Sequence, residues 1–251
     1  MRLIKTGGVV LLALVLLGIS CENRKQLSLQ DDVDFSFHEQ NFGESAGDLL
    51  RADKYKSLRV EIHYMTGFRP DMNAIANLRV FLNQCLNKPE GVKIFVKEIA
   101  AVKDTLLTRN EVDTLRRANR VIKTKKDQIA IYILYTNGQF HNKYILGQAF
   151  RNTTIIIYGK SLRNRLNAFE ASRSEILETE LLLHEFGHLL GLVNKGSPMM
   201  SDHDDRKREA HCENEDCIMY AVIDRNQDQP LRYFDEACLQ DLAANSRTNT
   251  E

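Results

Sequence analysis

The sequence has no excess of either charge. Its 251 residues include 34 Lys and Arg against 34 Asp and Glu, so the formal net charge is zero. A chain balanced in this way offers no basic surface to nucleic acid and no polybasic patch to a membrane, so we expect neither kind of contact. Phosphate-cradling glycine loops and internal repeats are also missing. Neither a nucleotide-binding motif nor a repeat architecture is therefore indicated.

A long hydrophobic run is absent too. The longest apolar stretch, residues 9–17, follows Arg2 and Lys5 and is too short to span a bilayer comfortably as a mature helix. The residues after it, Gly-Ile-Ser-Cys21, resemble a lipobox, although Gly18 stands where Leu is usual. We predict a signal peptide over residues 1–20, cleavage before Cys21 and lipidation of that cysteine. An ordinary signal peptide or an uncleaved anchor is the alternative. All three interpretations predict that the chain is exported.

The next segment is polar. Residues 22–54 are acid-rich with little periodicity, which is typical of a flexible spacer. We therefore expect residues 21–54 to be a lipidated tether and residues 55–251 to form one enzyme-sized domain, frayed after residue 245.

Residues 184–191 carry the most informative pattern, H-E-x-x-H-x-x-G. On a helix, His184 and His188 lie on one face, where two imidazoles can bind one zinc ion. Glu185 stands beside them to take a proton from an attacking water. A capping box, Ser172 and Glu175, and a terminal Gly191 predict the helix. The alternative is a buried amphipathic helix with two chance histidines.

The pattern resembles that of metzincins, which take a third ligand three residues after the glycine. Asn194 occupies that position here, and an amide is a poor zinc ligand. Two later histidines remain available. His203 is flanked by aspartates that are suited either to bind an imidazole N–H or to solvate a loop, and His211 lies further along.

Residues 211–219 read H-C-x4-C-x-M, which closely resembles the archaemetzincin signature. The resemblance implies that His211 is the third ligand and that Met219 lies beneath the metal as the Met-turn. Residues 195–210 are an insertion relative to that family. The chain also resembles a group of bacterial membrane-attached metalloproteases with such an insertion. His203 remains the alternative third ligand.

Three cysteines lie in the same region. In archaemetzincins a C-x-x-C pair follows the methionine, and four cysteines hold a second, structural zinc. Here Asp235 stands where the first cysteine of that pair belongs, with Cys238 as the second. Because a disulfide is the simpler state outside the cytoplasm, we expect Cys212 to pair with Cys217, and one catalytic zinc. The alternatives are another connectivity involving Cys85, or a second zinc at Cys212, Cys217, Cys238 and Asp235.

Strands and helices alternate before the zinc motif. Strands are predicted at residues 58–64, 92–99, 128–135, 144–150 and 153–158, and helices at 71–86 and 110–121. This order indicates an α/β sandwich. The resemblance implies a metzincin-like mixed sheet packed on helices and a small C-terminal subdomain with the Met-turn. It also implies an antiparallel edge strand at 144–150 that binds peptide, whereas an ordinary hairpin strand fits the sequence equally well.

These observations predict a zinc-dependent metalloendopeptidase, lipid-anchored outside a bacterial membrane. His184, His188 and His211 hold the zinc, Glu185 is the general base, and the substrate is a peptide or protein. Tyr220 is a candidate oxyanion donor, although a packed residue in the turn is its simpler role. The alternatives are a non-catalytic zinc-stabilised surface lipoprotein and a hydrolase of a non-peptide amide.

The lipobox assignment is testable by metabolic labelling with a fatty acid. We expect the full-length chain to take up label and Cys21→Ser to eliminate it, because the thiol is the acylated atom. A Cys21→Ser protein that still carries label would refute the assignment.

Overall fold

The computed structural model describes residues 36–167, 174–223 and 230–247. A five-stranded sheet has the order β2-β1-β4-β7-β6. Its strands are β1 (Ser57–Met65), β2 (Val92–Ile99), β4 (Gln128–Thr136), β6 (Gly147–Arg151) and β7 (Thr154–Tyr158). All neighbours run parallel except β6, which is antiparallel to β7 and forms one edge. The predicted mixed sheet with an antiparallel edge strand is confirmed.

The core lies on both faces of this sheet. Along β4, Ile131 and Ile133 contribute to the larger apolar cluster, whereas Tyr132 and Leu134 belong to a smaller one. This alternation is what a strand covered on both faces requires. The sequence prediction of a doubly buried strand at residues 128–135 is therefore confirmed.

Helices cover the sheet. They are α1 (Ala46–Leu50), α2 (Met72–Cys85), α3 (Arg109–Asn119), α4 (Gly159–Leu166), α5 (Ser174–Leu189) and α6 (Glu236–Ser246). Two short strands, β3 (Leu106–Leu107) and β5 (Gln139–Phe140), pair separately. Asp71 caps α2 as predicted, because its carboxylate accepts the backbone N–H of Asn73 at 2.8 Å. None of the helices among these residues is long and apolar enough to cross a membrane.

The tether prediction is wrong for residues 36–54. A 3-10 helix, Ser36–Glu39, and α1 pack onto the domain, where Phe37, Leu49 and Leu50 are buried. The Asn152 amide reinforces this docking by donating to the Phe37 carbonyl at 2.6 Å. A few well-placed apolar side chains thus outweigh the acid-rich composition, and the folded domain begins before residue 55.

Other predicted bounds differ locally. The edge strand begins at Gly147, three residues later than predicted, and Tyr144 lies before it with an exposed side chain. The sequence prediction missed α4 and α6. Ser172 of the predicted capping box lies outside the described residues, as do Cys21, the signal peptide and the tail after residue 247. Glu175, its proposed partner, instead accepts the amides of Asn73 and Asn77.

Helix α5 carries a buried carboxyl group two turns before the zinc motif. Glu178 accepts the Tyr135 hydroxyl at 2.8 Å and the Asp71 backbone N–H at 3.1 Å. Burial nevertheless raises the pKa of Glu178 from 4.5 to about 7, because removal from water penalises the charged form.

We therefore expect Glu178→Gln to stabilise the fold at alkaline pH. Below pH 4.5 the carboxyl is protonated in the folded and unfolded states, so its titration costs nothing. The cost develops between pH 4.5 and about 7 and persists above. At pH 8 the variant should gain roughly 1–3 kcal/mol in the free energy of unfolding, measured with urea, and nothing at pH 4. A pH-independent gain, or a loss at pH 8, would contradict this.

Candidate metal centre

The end of α5 shapes the zinc motif. The helix terminates with hydrogen bonds from Gly191 N to His188 O and from Leu192 N to Gly187 O, both at 3.1 Å. This is a Schellman arrangement, which needs a left-handed residue, and Gly191 has φ +71°. A side chain there would also collide with Ser197 N at 2.6 Å. Gly191 therefore ends the helix as the sequence predicted.

His184 and His188 converge on one point. Their Nε2 atoms lie 3.2 Å apart. Two nitrogens bound to a tetrahedral zinc at 2.0–2.1 Å are separated by about 3.3 Å, so this pair already has the spacing of zinc ligands. His184 Nδ1 donates to the Ile218 carbonyl at 2.7 Å, which fixes its ring and leaves Nε2 as the free lone pair.

The protonation states of this pair also suit a metal. Burial lowers the pKa of His184 to about 3 and that of His188 well below its ordinary value, so both imidazoles are neutral. If His188 carries its proton on Nδ1, two Nε2 lone pairs face each other. In either tautomer the buried Nδ1 has no hydrogen-bond partner among the residues that the structure describes. A cation between the Nε2 atoms removes the first conflict, so the donor set fits zinc.

The structure brings His211 to this pair. Its ring centroid lies 5.2 Å from that of His184 and 5.0 Å from that of His188. Its Nδ1 donates to the Glu209 carbonyl at 2.8 Å, which leaves Nε2 available as a ligand. Ligand atoms of the three histidines all lie within 4.8 Å of one another.

The alternative third ligand lies elsewhere. His203 is buried with Nδ1 3.4 Å from Cys212 Sγ and Nε2 2.9 Å from Asp241 Oδ2. These contacts hold it at the cysteine cluster, so His203 is not the third imidazole beside His184 and His188. Asn194, the metzincin ligand position, is exposed in a left-handed turn with φ +59°.

Glu185 is buried beside the edge strand. Burial raises its pKa to about 8, against a hydrogen bond from the Ala149 backbone that lowers it. The space for its carboxylate depends on Gly147, because a side chain at that position would meet Glu185 Oε1 at 3.0 Å. Strand β6 thus supplies both a backbone partner and room for the predicted base.

Met219 lies against the last turn of α5. A side chain at Gly187 would collide with Met219 Sδ at 2.2 Å, so the glycine permits direct contact between the helix and this fully buried residue. Tyr220 follows, with its ring 5.6 Å from the Arg208 guanidinium. Its backbone N–H donates to the Cys217 carbonyl at 3.1 Å.

An ion pair joins α5 to the chain beyond Met219. The buried Arg232 guanidinium lies 3.1 Å from the Glu180 carboxylate, one turn before His184. It also donates to the carbonyls of Val222 and Ile223. Because Arg232 bonds both a carboxylate on α5 and two carbonyls of the segment after Met219, it holds that segment against the helix that carries the histidines.

A second cluster contains Cys212, Cys217, Cys238 and Asp235, whose ligand atoms lie within 4.8 Å of one another. The expected disulfide between Cys212 and Cys217 is not formed, and all three thiols are free. Cys217 Sγ is instead 3.6 Å from Cys238 Sγ, because the N-terminus of α6 brings Cys238 to it. Hydrogen bonds from Cys212 and Cys238 lower the pKa of Cys217 to about 4.

No family model matches the sequence, and no curated protein matches it. Among solved structures, the archaemetzincin of Methanopyrus kandleri is similar, with a TM-score of 0.50 and 18% sequence identity. The similarity covers 76% of this chain and 96% of that protein. This chain has an archaemetzincin-like fold. The resemblance inferred from residues 184–191 and 211–219 is thus confirmed for the fold.

Within this archaemetzincin-like fold, sequence analysis missed several groups that position the histidines. The carbonyls of Ile218 and Glu209 orient His184 and His211, and backbone atoms leave no signal in residue type. Asp241, the partner of His203, lies three residues after Cys238 on α6. That helical spacing was the available sign that Asp241 faces the cysteine cluster.

Metal analysis tests the histidine centre. We expect the double variant His184→Ala, His188→Ala to lose one zinc equivalent per chain after dialysis against a weak chelator, because two of three ligands are removed. His211→Ala should weaken retention of the same equivalent at least tenfold, by analogy with the loss of metal-site partners. His141→Ala, at an exposed histidine, is the control. An undiminished zinc content in the double variant would refute the centre.

Proposed function

We propose that this chain is a zinc-dependent metalloendopeptidase. The observation that carries the proposal is the placement of Glu185, which is buried against the edge strand and directly follows His184 on the helix that carries two of the three histidines. A site that only bound zinc for stability has no use for a carboxyl group in that position. The archaemetzincin-like fold and the two clusters of metal-ligand residues support the coarser assignment, a zinc-dependent hydrolase.

The edge strand supports a peptide as substrate. Among the described residues, strand β6 is at the edge of the sheet and pairs there with β7 alone. An extended peptide can add to such an edge through backbone hydrogen bonds, which do not depend on side-chain identity. Because the Ala149 backbone also bonds Glu185, a peptide on this edge lies next to the base.

The roles of the residues follow from their positions. His184, His188 and His211 would hold the metal. In His184 and His211 the other ring nitrogen donates to a backbone carbonyl, which fixes the ring. When bound, zinc polarises the scissile carbonyl, lowers the pKa of an attacking water toward about 7 and favours the ionised form of a nearby carboxylate. Glu185 then takes the proton of that water and delivers it to the leaving amine.

Two further assignments belong to this proposal. Met219 serves as the Met-turn, supported by its contact with Gly187 beneath the histidines. Tyr220 remains a candidate oxyanion donor because it follows Met219 in this turn. We further propose that the enzyme is exported and anchored through Cys21 to the outer side of a bacterial membrane.

Glu185→Gln isolates the catalytic step. The amide cannot accept the proton, so we expect cleavage of a denatured protein substrate to fall by about 10²- to 10⁴-fold while zinc content is unchanged. Glu178→Gln is the matched control, since it makes the same change on the same buried helix and should retain activity.

The possible outcomes separate the rival functions. Activity of Glu185→Gln within a few-fold of the unmodified chain would remove Glu185 as the base. A zinc-loaded chain without peptidase activity would favour a non-catalytic lipoprotein. Turnover confined to small non-peptide amides would favour the other hydrolase class.

A further inference from the structure

The cysteine cluster has three thiols and needs a fourth ligand to complete a tetrahedral zinc site. Structural zinc sites are built from four cysteines, three cysteines and a histidine, or two of each. In archaemetzincins the fourth residue is a cysteine, and Asp235 takes its place in this sequence. A carboxylate with three thiolates is an unusual set, so the identity of the fourth ligand is open on chemical grounds.

Asp235 is already engaged. Its Oδ1 accepts the Cys238 backbone N–H at 3.0 Å and so caps α6. Its Oδ2 accepts the Asn214 amide at 2.9 Å and lies 3.4 Å from Cys212 Sγ. Both carboxylate oxygens therefore have partners that account for an aspartate at this position, independently of any metal.

His203 faces the same sulfurs. Its Nδ1 is 3.4 Å from Cys212 Sγ and 4.0 Å from Cys238 Sγ. A zinc with bonds of 2.0–2.1 Å to nitrogen and 2.3 Å to sulfur separates those two ligand atoms by about 3.6 Å. The imidazole is thus at the spacing of a ligand, and it is buried.

Asp241 orients the His203 imidazole. Its fully buried carboxylate accepts His203 Nε2–H at 2.9 Å, which leaves the Nδ1 lone pair directed at the thiols. This carboxylate–histidine arrangement is the one that orients metal-binding histidines. The other oxygen of Asp241 accepts the Met200 backbone N–H at 2.7 Å, so the same side chain holds the insertion in place.

We propose that His203 is the fourth ligand of the second zinc site that the archaemetzincin resemblance implies at Cys212, Cys217 and Cys238, with Asp241 as the positioning residue of His203. The insertion at residues 195–210 thereby supplies the ligand that Asp235 does not. His203 and Cys212 belong to neighbouring strands of a small hairpin, in which Glu213 N donates to His203 O at 3.0 Å and Asp204 pairs with Cys212. This proposal does not rest on the peptidase function, because its evidence and its readout are the metal ligands.

The test uses the full chain carrying His184→Ala and His188→Ala, so that bound zinc reports the cysteine cluster alone. We expect about one zinc per chain. Zinc X-ray absorption should show three sulfur ligands and the outer-shell scattering of a single imidazole. Zinc without the imidazole signature, or no zinc together with a disulfide among the three cysteines, would overturn the proposal.

Three variants in that background distinguish the ligands. His203→Ala should weaken zinc affinity at least tenfold and Asp241→Asn by about 10- to 100-fold, as for other partners of metal-binding histidines. Asp235→Asn should change affinity less than about threefold, because asparagine still caps the helix. Release of zinc by Asp235→Asn but not by His203→Ala would assign the ligand to Asp235. If His203→Ala fails to fold, the imidazole signature of its parent decides the question.

Discussion

The contact between the C-terminal part of α5 and residues 217–219 determines how both clusters form. His184 donates to the Ile218 carbonyl at 2.7 Å, and Met219 lies directly against Gly187. The Cys212 backbone N–H in turn bonds the Met219 carbonyl at 2.9 Å. Since His211 and Cys212 are consecutive, this one packing contact positions the third imidazole and the first thiol together. Any side chain at Gly187 would separate the helix from this segment.

The site is also a concentration of buried polar groups that ordinary packing would exclude. Burial opposes charge on His184, Glu185 and His188, so it lowers the pKa of each imidazole and raises the pKa of the carboxyl. Buried polar groups without partners are costly, and His188 Nδ1 has none among the described residues. The ion pair between Arg232 and Glu180 stabilises the surrounding chain and so helps to offset this cost. Such local conflict is typical of functional sites, where the fold around them supplies the stability.

Local sequence patterns predicted a strand or helix correctly where the adjacent residues all indicated the same element. The apolar run at residues 128–135 and the Asp71 cap both give the structure observed, because a strand buried on two faces and a helix start are encoded by adjacent residues. The prediction is wrong for residues 36–54, since four buried apolar side chains decide their position and acidic composition does not. The sequence prediction lacks helix α6, because it treats Asp235 as a candidate metal ligand, whereas the structure shows Asp235 as the N-cap of that helix.

The sequence by itself determined that His184 and His188 lie together with Glu185 beside them, because helical spacing places residues four apart on one face whatever the rest of the chain does. It also determined the end of that helix at Gly191. Only the tertiary structure decided between His211 and His203, since His203 lies within the insertion and His211 directly follows it, and the path of the insertion depends on distant partners. Asp241 draws His203 to the cysteines, and the Glu209 carbonyl orients His211 toward α5. The same long-range packing left three thiols together and free where the sequence favoured a disulfide.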